Sequence, residues 1–349
     1  MIVSHHDAAM GRDALVPCDF RDLSGWDEDD HDALLAAFRP SAARSLKRPY
    51  RSRPLSPTRG FEAIAQASLG EVAVARDFFE RHFAPHRITA GPGKMTGYYE
   101  PIIAASRTLT ERLHVPLHRP PPDLMRAPDG GYGRWEGSRI VPHHDRAAVM
   151  EGALDGKGLE IVYVDPVDAF IAHVQGSARL RLPDRTLRVT FAGKSGHPYT
   201  SVGRLLCERL GIEPTEMTAD RLYDWLRHQP LERDELLAMN RSYIYFEESK
   251  GSETDGPIGA ADAPLVDGRS LAVDRTLHSF GTLVHVVTKK GLPGAEEPLR
   301  RTLVAHDTGS AIVGAARGDL FVGSGDEAGL VAGRINHAAS FHVLLPRST

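Results

Sequence analysis

The chain has 349 residues, of which 41% are hydrophobic and 25% are charged, and its formal net charge at pH 7 is −4. This composition is typical of a soluble globular protein, and the length allows two domains. The weakly acidic balance, without a Lys/Arg run interleaved with aromatic residues, argues against a nucleic-acid partner.

The first third of the chain predicts helices separated by an irregular segment. Residues 24–40 begin with Ser24, a candidate N-cap, continue with acidic residues and end at Pro40, which predicts a helix. Residues 41–57 are rich in Arg, Pro and Ser and predict an extended surface segment. Residues 70–83 predict a second helix with phenylalanines near its apolar side.

The middle of the chain predicts strands, helices and a proline-rich connection. "MTGYYEP" predicts a short strand that ends at Pro101, and "VPLHRPPPDL" predicts an extended loop, because prolines donate no ladder hydrogen bonds. After the apolar strand "LEIVYV", a helix is predicted with Asp165 as its cap, Pro166 at its first position and Gly176 as its end. "ARLRLPDRTLRVTFAG" then predicts a hairpin. "VGRLLCERLG" and "TADRLYDWLRHQP" predict amphipathic helices, followed by a third in "LERDELLAMN".

The C-terminal part of the chain predicts short strands with Gly/Asp turns. The strand patterns are "SYIYFEE", "RSLAVDRTLHSFGTLVHVVT", "RRTLVAHD", "GDLFVGSG" and "FHVLLP". Many short strands of this kind favour a barrel over a parallel α/β sheet.

Three aspartates in this part have similar settings. Asp307 ends an apolar strand, Asp319 begins another after a Gly-rich linker, and Asp274 follows a third apolar run. An aspartate before Thr-Gly is also a good turn residue, which is an equally simple interpretation of any one of them. If the three carboxylates meet at strand ends, their repulsion would keep one protonated near neutral pH, as a general acid must be.

Other catalytic and metal sites are poorly supported. "DTGS" is the tetrapeptide of pepsin-like proteases, which need two such turns, and this chain has one. "HHD" occurs at residues 5–7 and 143–145, and His114 and His118 bracket Pro116, so no helix places both imidazoles on one face. There is no Gly-x-Ser-x-Gly elbow and no phosphate-binding Gly-rich loop. We therefore expect no metal and no cofactor.

Several motifs together resemble the MltA family of lytic murein transglycosylases. "LAVDRTLHSFGT", "AHDTGSAIVG" and "RGDLFVGSGDEAG" resemble the three segments of the 3D domain, which is named for its three aspartates. "KMTGYYEP", "DAFIAHVQGSARLRL", "NRSYIYF" and "VLLP" extend the resemblance over roughly residues 90–346. The 3D segments occur in other cell-wall proteins, and the upstream motifs make the match specific to this family.

The resemblance implies a mainly β fold with flanking helices, namely a double-psi β-barrel with a smaller inserted β domain and a saccharide groove between them. On this basis residues 1–57 are predicted to be an N-terminal helical and extended segment that leads into the barrel. Residues 58–102 and 240–349 are predicted to form the barrel, the C-terminal part being the 3D domain. Residues 103–239 are predicted to form the inserted β domain.

The resemblance also implies an activity and a catalytic residue. The family cleaves the β-1,4 bond between N-acetylmuramic acid and N-acetylglucosamine and leaves a 1,6-anhydro product, so the chain is expected to be a carbon–oxygen lyase acting on polysaccharides. The family's catalytic aspartate corresponds to Asp319, and Asp307 and Asp274 correspond to its neighbours. Because the sugar's own C6 hydroxyl attacks C1, one aspartic acid suffices as acid and then base. Asp307 is expected to raise the pKa of Asp319 or to orient it.

Further residues are expected to bind the glycan. They are Asp274, Thr96, Gly97, Tyr98, Tyr99, Glu100, Gln175, Ser177 and Lys194. Core packing is an equally good interpretation of Tyr99 and of Phe170, and Lys194 either meets a peptide carboxylate or is solvated. The alternatives to a lyase are a non-catalytic peptidoglycan-binding module and a hydrolytic glycosidase.

The expected setting is the bacterial cell wall. The partner is the peptidoglycan glycan strand, and the protein is expected to be a monomer that acts in the periplasm, in possible association with the outer membrane. No apolar run reaches the roughly 18 residues that span a bilayer, and no signal peptide is visible. Cys18 and Cys207 are too few for a disulfide scaffold, and Cys207 is expected to be a buried thiol.

Overall fold

The structure is a computed structural model that describes residues 14–128, 130–249 and 256–347. The strands are β1 (Leu15–Pro17), β2 (Phe83–Ile88), β3 (Lys94–Glu100), β4 (Ile102–Ala104), β5 (Val115–His118), β6 (Met125–Arg126), β7 (Tyr132–Glu136), β8 (Arg139–Val141), β9 (Glu160–Val164), β10 (Ser177–Arg181), β11 (Thr186–Lys194), β12 (Ile244–Glu248), β13 (Ser270–Val273), β14 (Leu283–Gly291), β15 (Pro298–Asp307), β16 (Arg317–Ser324) and β17 (Asn336–Pro346).

The helices are α1 (His31–Lys47), α2 (Phe61–Ser68), α3 (Ala75–His82), α4 (Arg146–Met150), α5 (Pro166–Gln175), α6 (Val202–Leu210), α7 (Ala219–His228), α8 (Pro230–Ala238) and α9 (Asp326–Ala332), with short 3-10 turns at Phe20–Asp22 and Pro214–Glu216. The predicted mainly β fold with additional helices is therefore confirmed. The "HHD" at residues 5–7 lies outside the described residues.

The chain divides into two compact units. The first takes the described residues within Met1–Tyr98, Thr254–Gly323 and Arg334–Thr349, and the second takes those within Tyr99–Glu253 and Ser324–Gly333. The bounds predicted for the barrel and the inserted domain, and the groove expected between them, stay predictions.

The first unit is built on one sheet in which the last strand of the order, β3, pairs back with an earlier strand, β17. The order is β1-β2-β17-β14-β15-β13-β16-β3, and β3 also pairs with β17, so the six strands from β17 to β3 form a closed ring. β13 and β15 run parallel, whereas β13 and β16 run antiparallel. The long strand β17 pairs with β14, β2 and β3 along different parts of its length.

Helices α1, α2 and α3 flank this sheet and share its core. Phe38 of α1 packs edge-on against the rings of Phe61, Phe79 and Phe83, with centroid separations of 5.7, 6.2 and 6.1 Å. The same buried cluster includes Val304 of β15 and Leu344 of β17. The apolar faces of the helices thus cover one side of the sheet, while the carboxylates described below come from its strand ends.

The predicted bounds of α1 are wrong. The helix begins after Asp30, whose carboxylate accepts a hydrogen bond from the amide of Ala33 at 2.9 Å, and it continues through Pro40 to Lys47. A proline inside a helix removes one backbone hydrogen bond, and here the burial of Phe38 and Ala42 on either side outweighs that loss. Much of the predicted extended segment 41–57 is therefore helical.

The second unit contains a four-stranded sheet, β12-β11-β10-β4, against which α5 packs. The capping predicted for α5 is confirmed: Asp165 accepts from the amide of Val167 at 2.9 Å, and Gly176 ends the helix in the left-handed region with φ of 82°. The predicted hairpin is the antiparallel pair β10–β11. The "VPLHRPPPDL" loop is only partly a loop, since its first residues form β5, paired antiparallel with β9.

Helices α6, α7 and α8 pack with one face of α5 in a separate apolar cluster of the second unit. α7 begins after the predicted cap Thr218, whose hydroxyl accepts from the amide of Arg221 at 3.2 Å. Cys207 in α6 is a buried free thiol, as predicted, and Cys18 in the first unit is also free. No helix among the residues described is both long and apolar enough to cross a bilayer.

Candidate functional site

The register of three strands aligns two aspartates on either side of one alanine. Ala272 of β13 is the Cα partner of Asp307 on β15 and of Asp319 on β16. Residues opposite each other on neighbouring strands direct their side chains to the same face of a sheet. With strands about 4.8 Å apart, the Cα atoms of the two aspartates are about 10 Å apart, close enough for both side chains to meet one sugar ring.

This alignment depends on an irregularity in β15. Leu271 pairs with Ala305 and Ala272 pairs with Asp307, so His306 is an extra residue in the ladder. Because of this bulge, Asp307 and Ala305 lie on opposite faces of the sheet. Asp307 therefore shares a face with Asp319. His306 is fully buried, and its Nδ1 lies 2.8 Å from the hydroxyl of Ser270. Burial lowers the pKa of His306 to about 3, so the imidazole is neutral.

Asp307 is held by three donors. Its Oδ1 accepts hydrogen bonds from the amides of Ala260 at 3.0 Å and Thr308 at 2.9 Å, and its Oδ2 accepts from the Tyr98 hydroxyl at 3.1 Å. Burial nevertheless raises the pKa of Asp307 to about 6, because the desolvation of the carboxylate outweighs these hydrogen bonds. Burial likewise raises the pKa of Tyr98 well above its ordinary value, so its hydroxyl remains a donor.

Asp319 has a different environment. The hydroxyl of Thr96 on β3 donates to its Oδ1, and within the described part of the chain its Oδ2 accepts no hydrogen bond. The hydroxyl of Thr96 in turn accepts from Nη2 of Arg317 at 2.7 Å. Burial raises the pKa of Asp319, while the Thr96 hydrogen bond and the charge of Arg317 act in the opposite direction. The residue keeps part of its surface exposed, so an incoming molecule can reach it.

The cause of the raised pKa values differs from the one predicted. Mutual repulsion was expected to keep one carboxyl protonated, but desolvation has the largest effect on the pKa of both groups, and the charge of Asp319 has only a small effect on the pKa of Asp307. Burial thus raises the pKa of Asp307 to about 6, which still leaves it mostly ionised at pH 7, and it raises the pKa of Asp319 as well.

Asp274 directly follows β13, and both of its carboxylate oxygens accept hydrogen bonds from the protein. Its Oδ1 accepts from the amide and hydroxyl of Thr276 at 2.9 and 2.6 Å, and its Oδ2 accepts from the amide of Gly314 at 2.9 Å. These contacts join the turn after β13 to the linker between the other two aspartates. Asp274 therefore holds the loops of the site in place, and its predicted contact with sugar stays a prediction.

Three of the residues predicted to bind sugar, Glu100, Gln175 and Tyr99, have partners within the second unit. Glu100 is fully buried and pairs with Nε of Arg179 and Nε of Arg188, both at 2.7 Å. Its Oε2 also accepts from the hydroxyl of Ser324 at 2.8 Å. These partners occupy both carboxylate oxygens, which favours a structural role for Glu100 over a hydrogen bond to a sugar hydroxyl.

Gln175 and Tyr99 are joined to each other. The side-chain oxygen of Gln175 accepts from the amide of Tyr99 at 3.1 Å. The Tyr99 ring packs beside the buried helices α5 to α8 and against Gly329, where a Cβ would lie 2.9 Å from the ring. Burial raises the pKa of Tyr99 to about 12. These contacts support the core-packing interpretation of Tyr99 that the sequence left open.

The other predicted residues are placed as follows. Gly97 lies between Thr96 and Tyr98 on β3, Ser177 is buried at the start of β10, and Lys194 ends β11.

Among the residues described, no group of three or more His, Cys, Asp or Glu side chains is arranged to hold a metal ion. The first unit thus brings together Asp307, Asp319, Thr96 and Tyr98, while Tyr99, Glu100, Gln175, Ser177 and Lys194 belong to the second.

Sequence reasoning missed two contributors. Arg317 lies two residues before Asp319 on β16, so strand alternation alone places both on one face and would have indicated it. Ala260, which supplies an amide to Asp307, lies in an irregular segment far away in sequence, and no local pattern points to it.

Two known domain families match the chain. Residues 94–247 match the MltA specific insert domain, and residues 269–345 match the 3D domain. The second match contains Asp274, Asp307 and Asp319, and the first contains Thr96 and Tyr98.

Known proteins and solved structures are also similar. The chain is 32% identical over 262 residues to membrane-bound lytic murein transglycosylase A of Escherichia coli K12, an alignment that spans 73% of this chain but only 66% of that protein. A crystal structure of membrane-bound lytic murein transglycosylase from Agrobacterium tumefaciens is 38% identical, with a TM-score of 0.87 over 96% of this chain and 98% of that one. Escherichia coli MltA with bound chitohexaose is 26% identical, with a TM-score of 0.69 over 96% of this chain and 92% of that one.

Proposed function

The chain belongs to the MltA family of lytic murein transglycosylases, and on that premise we propose that it cleaves peptidoglycan glycan strands. The bond broken is the β-1,4 link between N-acetylmuramic acid and N-acetylglucosamine, and the product carries a 1,6-anhydro-muramic end. The chitohexaose bound to the Escherichia coli relative is a β-1,4 chain of N-acetylated sugars, which supports a glycan as the substrate.

The observation that carries this proposal is the unequal bonding of the two aligned carboxyls. Asp307 has protein donors on both oxygens, whereas Asp319 has one on Oδ1 and keeps Oδ2 for another partner. Oδ2 of Asp319 is therefore the atom that carries a proton to the bridging oxygen. The raised pKa of Asp319, due mainly to burial, favours the protonated form that this step needs.

The reaction is balanced with one carboxyl group. Protonated Asp319 gives its proton to the glycosidic oxygen as the bond from C1 breaks, and the departing sugar leaves with a hydroxyl. The C6 hydroxyl of the muramic residue then attacks C1, and Asp319, now a carboxylate, takes the C6 proton. The acid is regenerated, and no water is consumed. A tethered hydroxyl has a high effective concentration, which replaces the second catalytic carboxyl of ordinary glycosidases.

Asp307 has an electrostatic role in this scheme. Its three protein donors fix its position, and with a pKa of about 6 it carries a negative charge for much of the time at neutral pH. That charge stabilises the positive charge that develops at C1 as the bond breaks. Thr96 and Tyr98 hold the two carboxyls, and the remaining predicted sugar contacts, at Gly97, Ser177 and Lys194, stay predictions.

We also propose the fold and location that the family implies. The closed ring of six strands in the first unit, with one parallel pair, supports a double-psi β-barrel. Because murein lies outside the cytoplasm, the site of action is the periplasm, in association with the outer membrane.

The test replaces the acid. Asp319→Asn preserves the shape and the bond to Thr96 but has no proton to give, so we expect release of anhydromuropeptides from purified sacculi to fall by about 100-fold or more. Mass spectrometry of the soluble products measures this, with circular dichroism to establish folding. Asp32→Asn, at an exposed position of α1, is the matched control and should keep full activity.

The products also discriminate between the alternatives. A hydrolytic glycosidase would release reducing muramic ends instead of anhydro ends, and a binding module would leave the glycan unchanged. Full activity in the folded Asp319→Asn variant would remove Asp319 from the mechanism.

A further inference from the structure

Arg317 is a partly buried cation beside the proposed acid. It lies on β16 two residues before Asp319, and its guanidinium donates to the backbone oxygen of Gly318 and, at 2.7 Å, to the hydroxyl of Thr96. Within the described part of the chain it forms no ion pair with a carboxylate. Burying a guanidinium without a direct counter-ion is unfavourable, so its retention here calls for a function.

We propose that Arg317 is a positioning residue that acts on Asp319 through the hydroxyl of Thr96. The proposal rests on the catalytic role assigned to Asp319 above and adds a control on where that residue carries its proton. Arg317, Thr96 and Asp319 form a chain of hydrogen bonds across two neighbouring strands, β16 and β3.

The donors and acceptors determine the direction of these hydrogen bonds. A hydroxyl has one proton, and a guanidinium only donates, so the Thr96 oxygen accepts from Arg317 and its proton points to Oδ1 of Asp319. A donor polarised by a neighbouring cation is a stronger donor. Oδ1 is thereby kept unprotonated, and the catalytic proton resides on Oδ2, the oxygen without a protein donor.

The charge of Arg317 also sets how readily the proton leaves. Three titratable groups interact with Asp319: Arg317 on the same strand, Tyr98 on β3 and Asp307 on β15. Of these, only Arg317 is positively charged. Without it, burial would leave Asp319 a weaker acid that holds its proton too tightly to protonate the leaving oxygen quickly.

The first experiment measures the proton affinity of Asp319 directly. In the full-length chain labelled with ¹³C at the aspartate carboxyl, the signal missing from Asp319→Asn is that of Asp319, and its chemical shift is followed with pH. We expect Arg317→Gln to raise the pKa of Asp319 by about one pH unit or more, and Arg317→Lys to raise it less. Arg21→Gln, at a side chain 84% exposed, is the control and should change nothing. An unchanged pKa in Arg317→Gln would overturn the proposal.

A double-mutant cycle tests the route through Thr96. Thr96→Val removes the intermediate hydroxyl, so Arg317→Gln should shift the pKa of Asp319 by less than half as much in that background as in the wild type. An equal shift in both backgrounds would mean that Arg317 acts only through space, which contradicts the relay.

Activity then separates this proposal from the one on which it rests. If both are correct, the alkaline limb of kcat/KM for anhydromuropeptide release moves upward in Arg317→Gln by the shift that the ¹³C titration gives. If Asp319→Asn stays fully active, the catalytic assignment fails, and the titration still decides whether Arg317 controls the proton of Asp319. A kcat/KM profile unmoved in Arg317→Gln, with Asp319→Asn inactive, would overturn the positioning role alone.

Discussion

Asp307 shows how burial can dominate over hydrogen bonding at a single residue. Three donors would ordinarily favour its charged form, yet its pKa is raised from 3.8 to about 6 because the surrounding protein removes water from the carboxylate. The native state therefore holds this proton more tightly than the unfolded chain does. The site is destabilising at neutral pH, as is common for groups that serve chemistry.

Replacing this carboxyl should stabilise the protein in a pH-dependent way. The difference between 3.8 and about 6 corresponds to about 3 kcal/mol of native-state penalty above pH 6, which falls to about half at pH 5 and vanishes below pH 4. We expect Asp307→Asn to raise the free energy of unfolding at pH 8, with a smaller gain at pH 5. Urea titrations at both pH values measure it, with the exposed Asp32→Asn as control. A gain that is equal at the two pH values would contradict the assignment.

At this scale the sequence indicated which residues lie near one another better than it indicated their hydrogen-bond partners. Asp307, Asp319, Thr96 and Tyr98 do come together in the first unit. The buried ion pairs of Glu100 were not foreseen, because both arginines come from a hairpin far away in the chain. Local patterns identify candidate residues, but the partners that neutralise a buried charge depend on the tertiary fold.

Secondary-structure elements were predictable where their ends are set locally. The helix α5 has Asp165, Pro166 and Gly176 within its own sequence, and its bounds match the prediction. The helix α1 does not follow its local signals, since Pro40 lies inside it and the packing of Phe38 decides the outcome. The bulge at His306 left no sequence signal either, although it determines which face Asp307 occupies.

The strand that carries Asp319 depends on a glycine. A Cβ at Gly318 would lie 2.8 Å from Leu271 and 2.9 Å from the ring of Phe341, on the core side of β16. We expect Gly318→Ala to lower the free energy of unfolding by about 1–3 kcal/mol and to reduce activity, because β16 must move away from its neighbours. Urea titration measures the first effect and muropeptide release the second.

Gly70→Ala is the matched control for this prediction. Its nearest atom, the backbone oxygen of Ala67, would be 3.5 Å from the new Cβ, and no change in activity is expected. If Gly318→Ala were as stable and as active as this control, the close packing of β16 would not matter for the site.

The molecule as a whole contains many buried histidines with a lowered pKa. Burial lowers the pKa of His285 to about 4 and that of His306 to about 3 in the first unit, and it also lowers the pKa of His118, His143 and His173 in the second. The unfolded chain takes up protons at these side chains near pH 6.5, whereas the native protein does so only at lower pH.

Acid should therefore destabilise the protein well above the pH at which carboxylates protonate. We expect the free energy of unfolding to fall by about 2 kcal/mol or more between pH 7 and pH 5, despite the opposite contributions of Asp307 and Asp319. Denaturant titrations across this range measure the slope. His285→Gln should make the slope shallower, whereas the exposed His228→Gln should not. A stability that stays constant or rises on acidification would contradict this assignment.

The position of β17 after all other strands of the ring has a consequence for biosynthesis. This strand closes the ring by pairing with β3 and, along its length, with β14 and β2, so it joins segments separated by more than two hundred residues. The ladder that links residues near 95 to those near 337 forms only after both segments have left the ribosome. The first unit consequently cannot close its ring until β17 has been synthesised, and until then the edges of β2, β3 and β14 that pair with β17 lack this partner.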